Sequence, residues 1–237
     1  MIVYIVTDRY KHHMYRSVTL SSQHKRRVMS SPDRQHGQPS DNPVGIRPKA
    51  AQRIRETARQ LFYRQGIRAV GIEEIVQKAD ANKPSLYRSF SSKDQLAASY
   101  LHDYEVSFWQ RLESSIARHQ NDARAGLLDF LEGVSQRVQA SDYRGCGLTN
   151  CAVEYPERNH PARKVTEENK RRFRERLAEL AKQMGAPRPQ TLGDALMLVI
   201  EGAYVTGQIF DDGGPATNVV ETATLLIDAS LTSTRKD

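Results

Sequence analysis

The chain has 237 residues, 38% of them hydrophobic, which allows one or two domains with real cores, and no run approaches the ~18 apolar residues of a membrane span. Two cysteines provide no disulfide framework, and the opening MIVYIV is too short for a signal-peptide core, so the chain is expected to be cytoplasmic. The net charge of +7 is uneven: residues 1–49 hold nine Lys/Arg against three Asp, residues 50–100 nine basic against five acidic, and the remainder 17 against 20, a basic front and a mildly acidic back that suit a nucleic-acid-contacting module joined to a separate body.

In chain order, residues 1–46 come first. They are polar and basic, without sustained periodicity, and read as a disordered extension. Two readings stay open for them: a basic arm that adds non-specific phosphate attraction, or a stretch upstream of a true start near Met29. The pair His12–His13 is too short for a metal site.

Between Ala50 and Gln65, Ile54, Ala58, Leu61 and Phe62 form one apolar stripe, with Pro48 before it and Gly66 after, and this predicts a helix. Ile72, Ile75, Val76 and Ala79 predict a second helix only two turns long, which must pack on its neighbours to persist. Asp80-Ala81-Asn82 is the turn, and Asn82 is placed to cap a third helix starting at Lys83, where Pro84 costs little in the first turn. Leu86 and Phe90 point inward, and Ser92-Lys93-Asp94-Gln95 reads as a capping box opening the next helix.

The stretch Gly66–Leu96, GIRAVGIEEIVQKADANKPSLYRSFSSKDQL, resembles the DNA-binding half of the TetR-type (tetracycline-repressor-like) bacterial transcriptional regulators, whose consensus there runs roughly G-ATT-IA-AGVSKGTLY-HF-SKE-L. It departs from that pattern at Val70 and Gly71, where Thr or Ser is usual and the second helix loses its cap, at Asp80 and Pro84 for glycine, and at Asn82 for Ser. The framework residues Leu86, Tyr87, Phe90, Lys93 and Leu96 are in place. The resemblance implies that Tyr87 and Lys93 contact phosphate, which sets register, while Lys83, Ser85 and Arg88 are candidates for the base edges. Arg47 and Lys49 stand just ahead of the first helix, within reach of phosphate.

Beyond Gln95 the pattern is helical throughout. A long helix over 92–118 places Leu96, Tyr100, Tyr104, Phe108 and Leu112 on one face, and others cover about 122–140, 148–154, 160–184, 192–210 and 217–231. With the first three this makes about nine helices, an all-α chain with no strand pattern and no repeat.

The segment Gly145–Glu154, GCGLTNCAVE, resembles a G-C-x-x-x-N-x-x-x-E stretch of one branch of these regulators, at the start of a core helix of the regulatory domain. Asn150 and Glu154 are i, i+4 neighbours there. Cys146 at the helix start could be an electrophile or redox sensor, since the dipole favours a thiolate, or a buried structural thiol. Cys151, about 140° further round the helix, is badly placed to pair with it. Four zinc ligands are missing, so no metal is expected. Trp109, Phe108, Tyr104, Tyr143, Phe173, Met197 and Tyr204 are candidates to line an effector pocket, although aromatic residues at helical spacing serve equally as core. The segment LGDALMLVIEGAYVTGQIF is apolar nearly all round and needs burial on more than one side, with Gly202 and Ala203 allowing close helix approach. It resembles the penultimate helix of the family, which with the last helix packs on a second subunit.

The expected protein is an all-α regulator: a basic extension over 1–46, a helix–turn–helix domain over 47–96, and a helical ligand-binding and dimerisation domain over 97–237. It would be a homodimer on a pseudo-palindromic operator in double-stranded DNA, nucleoid-associated, neither an enzyme nor a membrane protein, with no cofactor, and released from DNA by a small-molecule effector. The candidate effector or sensor residues are Cys146, Asn150, Glu154, Trp109, Phe173 and Tyr204. The rival reading is a redox or electrophile-responsive protein acting through Cys146.

Overall fold

Residues 49–120, 122–210 and 212–232 are described by the structure, a computed structural model, and all lie in the unit spanning residues 46–237. The extension 1–46 and Arg47 fall outside the described residues. Among those described there are nine α-helices and no strand.

The first helix, α1 (Ala50–Gln65), buries the predicted stripe Ile54, Ala58, Leu61 and Phe62. Gly66 ends it at φ 90°, its N–H donating to the Phe62 carbonyl. The short α2 (Ile72–Lys78) buries Ile75 and Val76, and Gly71 before it offers no side-chain cap. The turn follows with Asp80 at φ 47°, a backbone state that Asp tolerates better than most residues. Asn82 Oδ1 accepts from the Ser85 N–H at 2.9 Å and so starts α3 (Lys83–Ser89), which turns Leu86 inward. One fastening has no local sequence signal. Arg53 of α1 reaches across, its Nε donating to the Ala79 carbonyl at 2.9 Å and its Nη2 to the Asp80 carbonyl at 2.6 Å, so that α1 holds the end of α2.

The long α4 (Lys93–Arg118) starts at Ser92, whose hydroxyl accepts from the Gln95 N–H at 3.1 Å. Its first turns pack on α1, and its remainder on α5 (Ala123–Val138), α6 (Gly147–Glu154) and α7 (Pro161–Gln183). An edge-on cluster of Phe108, Phe130 and Phe173, with Phe108 centred 4.9 Å from Phe173 and 5.9 Å from Phe130, ties α4, α5 and α7 together. A Cβ on Gly193 would stand 2.8 Å from the Ala178 nitrogen, so glycine is what lets α8 (Pro189–Thr206) lie directly on α7. A 3-10 turn (Gly214–Asn218) leads to α9 (Val219–Thr232), which packs on α8 and α5.

The predicted bounds of α8, Leu192 to Phe210, shift toward the N-terminus because Pro189 occupies the first turn, where a missing N–H costs nothing. The expected pairing of Gly202 with Ala203 at a close contact is also corrected. Gly202 faces open space, whereas Ala203 is buried in its own chain. The outward stripe of this segment is Leu198, Gly202, Val205 and Ile209, and α9 adds Leu225; Leu198 is 74% exposed and Leu225 65%. No helix among the described residues is long and apolar enough to cross a membrane.

Candidate nucleic-acid interface and the core behind it

With Leu86 buried, α3 presents Lys83, Tyr87 and Arg88 outward; Tyr87 is 51% exposed, unusual for a tyrosine in so short a helix. Each has a definite resting contact or none. Lys83 is ion-paired with Glu73 of α2, and that pairing holds the Glu73 carboxyl below its usual range. Arg88 Nη2 donates to Ser85 Oγ at 2.8 Å, which orders two of the three base-edge candidates on one face. Lys49 is exposed at the head of α1. Lys93 differs from the rest. It is half-buried, and its Nζ donates to the Arg68 carbonyl at 3.2 Å; burial lowers its pKa, with Asp94 and Glu154 opposing. To meet a phosphate Lys93 must extend beyond that contact.

The turn before α2 is bound to α6. Glu154 Oε2 accepts from the Arg68 N–H at 2.8 Å, while the Tyr63 hydroxyl accepts from the Arg144 N–H at 3.0 Å and donates to the Gly145 carbonyl at 3.3 Å. Arg68 also lies over the Tyr155 ring, 5.0 Å from its centroid. Asn150 sits beside this, Nδ2 donating to the Arg144 carbonyl at 2.5 Å, and both Asn150 and Glu154 line a cavity of about 390 Å³ between α1 and α6.

A second cluster is internal. Cys146, just ahead of α6 and 1% exposed, lies 3.6 Å from Lys170 Nζ. Lys170 donates to Glu201 Oε1 at 2.5 Å, and Thr149 Oγ1 to Glu201 Oε2 at 2.7 Å, so α6, α7 and α8 meet at one carboxylate. Burial alone would lower the Lys170 pKa, but Cys146 and Glu201 outweigh it and the ammonium is retained. Tyr204 lies 5.7 Å from that ammonium, and burial raises its phenol well above the usual value. Cys151 is buried and unpaired, and burial pushes its thiol up to about 11.

The six candidate effector residues therefore do not share one pocket. Asn150 and Glu154 face α1; Cys146 and Tyr204 belong to the Lys170 cluster; Phe173 is core, and Trp109 packs edge-on to Phe108 beneath Arg172. Sequence reasoning missed Lys170, Glu201, Arg53 and Arg68. Each acts across at least 24 residues of chain, where no local periodicity reports it. Among the described residues no group of three or more His, Cys, Asp or Glu is placed to hold a metal.

A capped helix–turn–helix seated on a long helix, whose far end is built into an all-helical body, defines a helix–turn–helix transcriptional regulator. Residues 54–100 match the bacterial regulatory proteins of the tetR family, and the chain as a whole is similar to TetR-family transcriptional regulators. It is 25% identical over 166 residues, 68% of this chain and 84% of the other, to an uncharacterized HTH-type transcriptional regulator of Lactococcus lactis subsp. lactis. The HTH-type transcriptional repressor ComR of Escherichia coli K12 is 25% identical over 43% of this chain and 50% of its own. Among solved structures, a TetR-family transcriptional regulator from Streptomyces coelicolor superposes with a TM-score of 0.73 at 25% identity, over 77% of this chain and 96% of that one.

Proposed function

We propose that the chain is a homodimeric repressor that binds a pseudo-palindromic operator and leaves it when a small molecule occupies the body. In this reading residues 47–96 read DNA and residues 97–237 bind the effector and the second subunit, with α4 running unbroken across the division. The observation that carries it is the outward face of α3, Lys83, Tyr87 and Arg88, held rigid by the Asn82 cap and the Arg53 clamp. Repression is supported by the name of the ComR relative. The exposed apolar stripe of Leu198, Val205 and Ile209, with Leu225 of α9, supports a second copy packing there.

Release follows from the bond between α6 and the turn that joins α1 to α2. The Glu154 carboxylate holds the turn that leads into α2, so a shift of α6 moves the helix–turn–helix. Two recognition helices must stand roughly 34–36 Å apart to enter successive major grooves, and an effector that binds one arrangement better shifts the population away from the other. Nothing in this scheme requires catalysis or a cofactor, and it places the protein with the nucleoid.

Selection of duplexes from a random pool by the purified chain tests the reading. A pseudo-palindromic site should emerge, with Tyr87→Ala and Lys93→Ala weakening all sequences alike and Arg88→Ala relaxing preference at one position in each half-site. Absence of sequence preference at any salt would end the proposal. Leu198→Arg should yield monomer in sedimentation; an unchanged dimer would place the second subunit elsewhere.

A further inference from the structure

The helices α4 and α5 run back from a short connection and touch closely near it, where a Cβ on Gly126 would stand 2.8 Å from the Ile116 backbone. Further from that pinch they enclose a cleft of about 370 Å³, a volume in the range of small-molecule sites. An edge of Phe130, otherwise buried in the core, lies at its floor, and Gln110, Ser114 and Gln136 supply neutral polar groups.

The charges in the cleft are unequal. Arg111, Arg118 and Arg137 line it against Asp129 and Glu132. Arg118 Nη2 is held by Asp129 at 2.5 Å, and Glu132 accepts from Gln136 at 3.4 Å. Asp103, beside Arg111 on the other side of α4, is taken by Arg55. Arg111 and Arg137 remain, and among the described residues neither guanidinium has a hydrogen-bond or ion-pair partner. Arg111 Nε is moreover buried from solvent, where an unsatisfied donor is costly. Arg137 folds back over bare backbone, its Nη1 3.3 Å from where a Gly133 Cβ would be. Burial first, and the Arg137 charge second, lower the Arg111 pKa, so the two guanidiniums repel across the cleft. Two like charges facing a cavity without a counter-ion are relieved by an anion between them.

We propose that the α4–α5 cleft binds a small organic carboxylate, its carboxylate group bridging Arg111 and Arg137 and its body filling the rest of the cleft. The flat carboxylate suits the guanidinium fork, and a cleft of this volume favours an organic acid over a small inorganic ion. That this acid is the effector rests on the repressor reading above; the binding itself does not. Arg111 follows Tyr104 by two turns on α4, and Tyr104 packs against Gly147 at the head of α6, so the cleft lies one helix from the Glu154 contact.

Calorimetric titration of the full chain with benzoate and phthalate, and with benzamide and inorganic phosphate as controls, tests the site. Saturable binding of the carboxylates is expected, with benzamide and phosphate weaker by about tenfold or more, the size of one charge-assisted hydrogen bond. Arg137→Gln, at a half-exposed position that leaves the fold intact, and Arg111→Gln should each weaken benzoate by about tenfold, with Arg111→Lys between. Equal binding of benzamide, preference for phosphate, or benzoate affinity unchanged in both Gln variants would overturn the proposal. DNA affinity measured with and without benzoate separates the two readings: carboxylate binding that requires both arginines but leaves DNA affinity alone keeps the site and removes its role as the effector site.

Discussion

The helix–turn–helix and the meeting point of α6, α7 and α8 are built on opposite principles. The first is made of short helices fixed at their ends by near neighbours: Asn82 caps α3, Ser92 caps α4, and Asp80 adopts the left-handed turn. Its chemistry is outside, in water. The second is fixed at its centre by one partly buried ion pair, Lys170–Glu201, with Cys146 and Thr149 on either side. Lost end contacts cost the first region a turn of helix each, whereas a lost partner in the second leaves a charge with little access to water.

The largest effect should therefore come from Glu201→Ala. It strands the Lys170 ammonium beside Cys146 and removes the acceptor of Thr149, and breaking a partly buried pair from one side costs about 2 kcal/mol. Urea unfolding should show the midpoint falling by that measure. A loss below about 1 kcal/mol would mean that water reaches Lys170 freely and that the two regions differ less than their geometry suggests. In the same variant, thiol labelling of Cys146 should accelerate while Cys151, pushed up to about 11, stays slow at neutral pH.

The contrast also explains what could be read from the sequence. The Asn82 cap, the Asp80 turn, the Ser92 start and the α1 stripe are each encoded within nine residues or fewer, and the structure has all of them. The reciprocal arm of the predicted capping box is the exception: Ser92 accepts from Gln95, but Gln95 does not reach back. Lys170 and Glu201 were invisible because they are ordinary members of two amphipathic helices until α7 lies on α8. Glu154 was read with Asn150 as a pocket lining because they share a face of α6. Both do line the cavity between α1 and α6, and Glu154 in addition bonds the Arg68 turn, 86 residues away in sequence. The orientation of α8 was misjudged at Ala203 for a similar reason, since an all-round apolar helix carries no periodicity to say which side is outside.

Asn82→Ala should cost about 1 kcal/mol, the usual worth of a cap whose acceptor is lost. The comparison sharpens if this loss is confined to the first region. Hydrogen exchange should quicken in α3 and leave the amides of α7 and α8 at their parental rates. Matching acceleration in both would show that the helix–turn–helix and the body unfold as one unit, and the division at residue 96 would lose its energetic meaning.

The smallest effect concerns Glu73, a carboxylate on the surface expected to face DNA. It holds Lys83, and Lys83 in turn lowers its pKa, yet both side chains are more than half exposed. An ion pair so open to water contributes little to stability, so Glu73→Gln should leave the melting temperature within about a degree. Its effect should instead show on DNA, because the change removes a negative charge near phosphate and frees a cation to bind it. Affinity for any duplex should rise about three- to tenfold at low salt, and the slope of log K against log salt should steepen by up to about one, the signature of one more phosphate neutralised. The gain should be equal for specific and random sequences if Lys83 only meets phosphate. A gain confined to the selected site would instead assign Lys83 to a base edge, with Glu73 acting as the brake that keeps it off the wrong sequences.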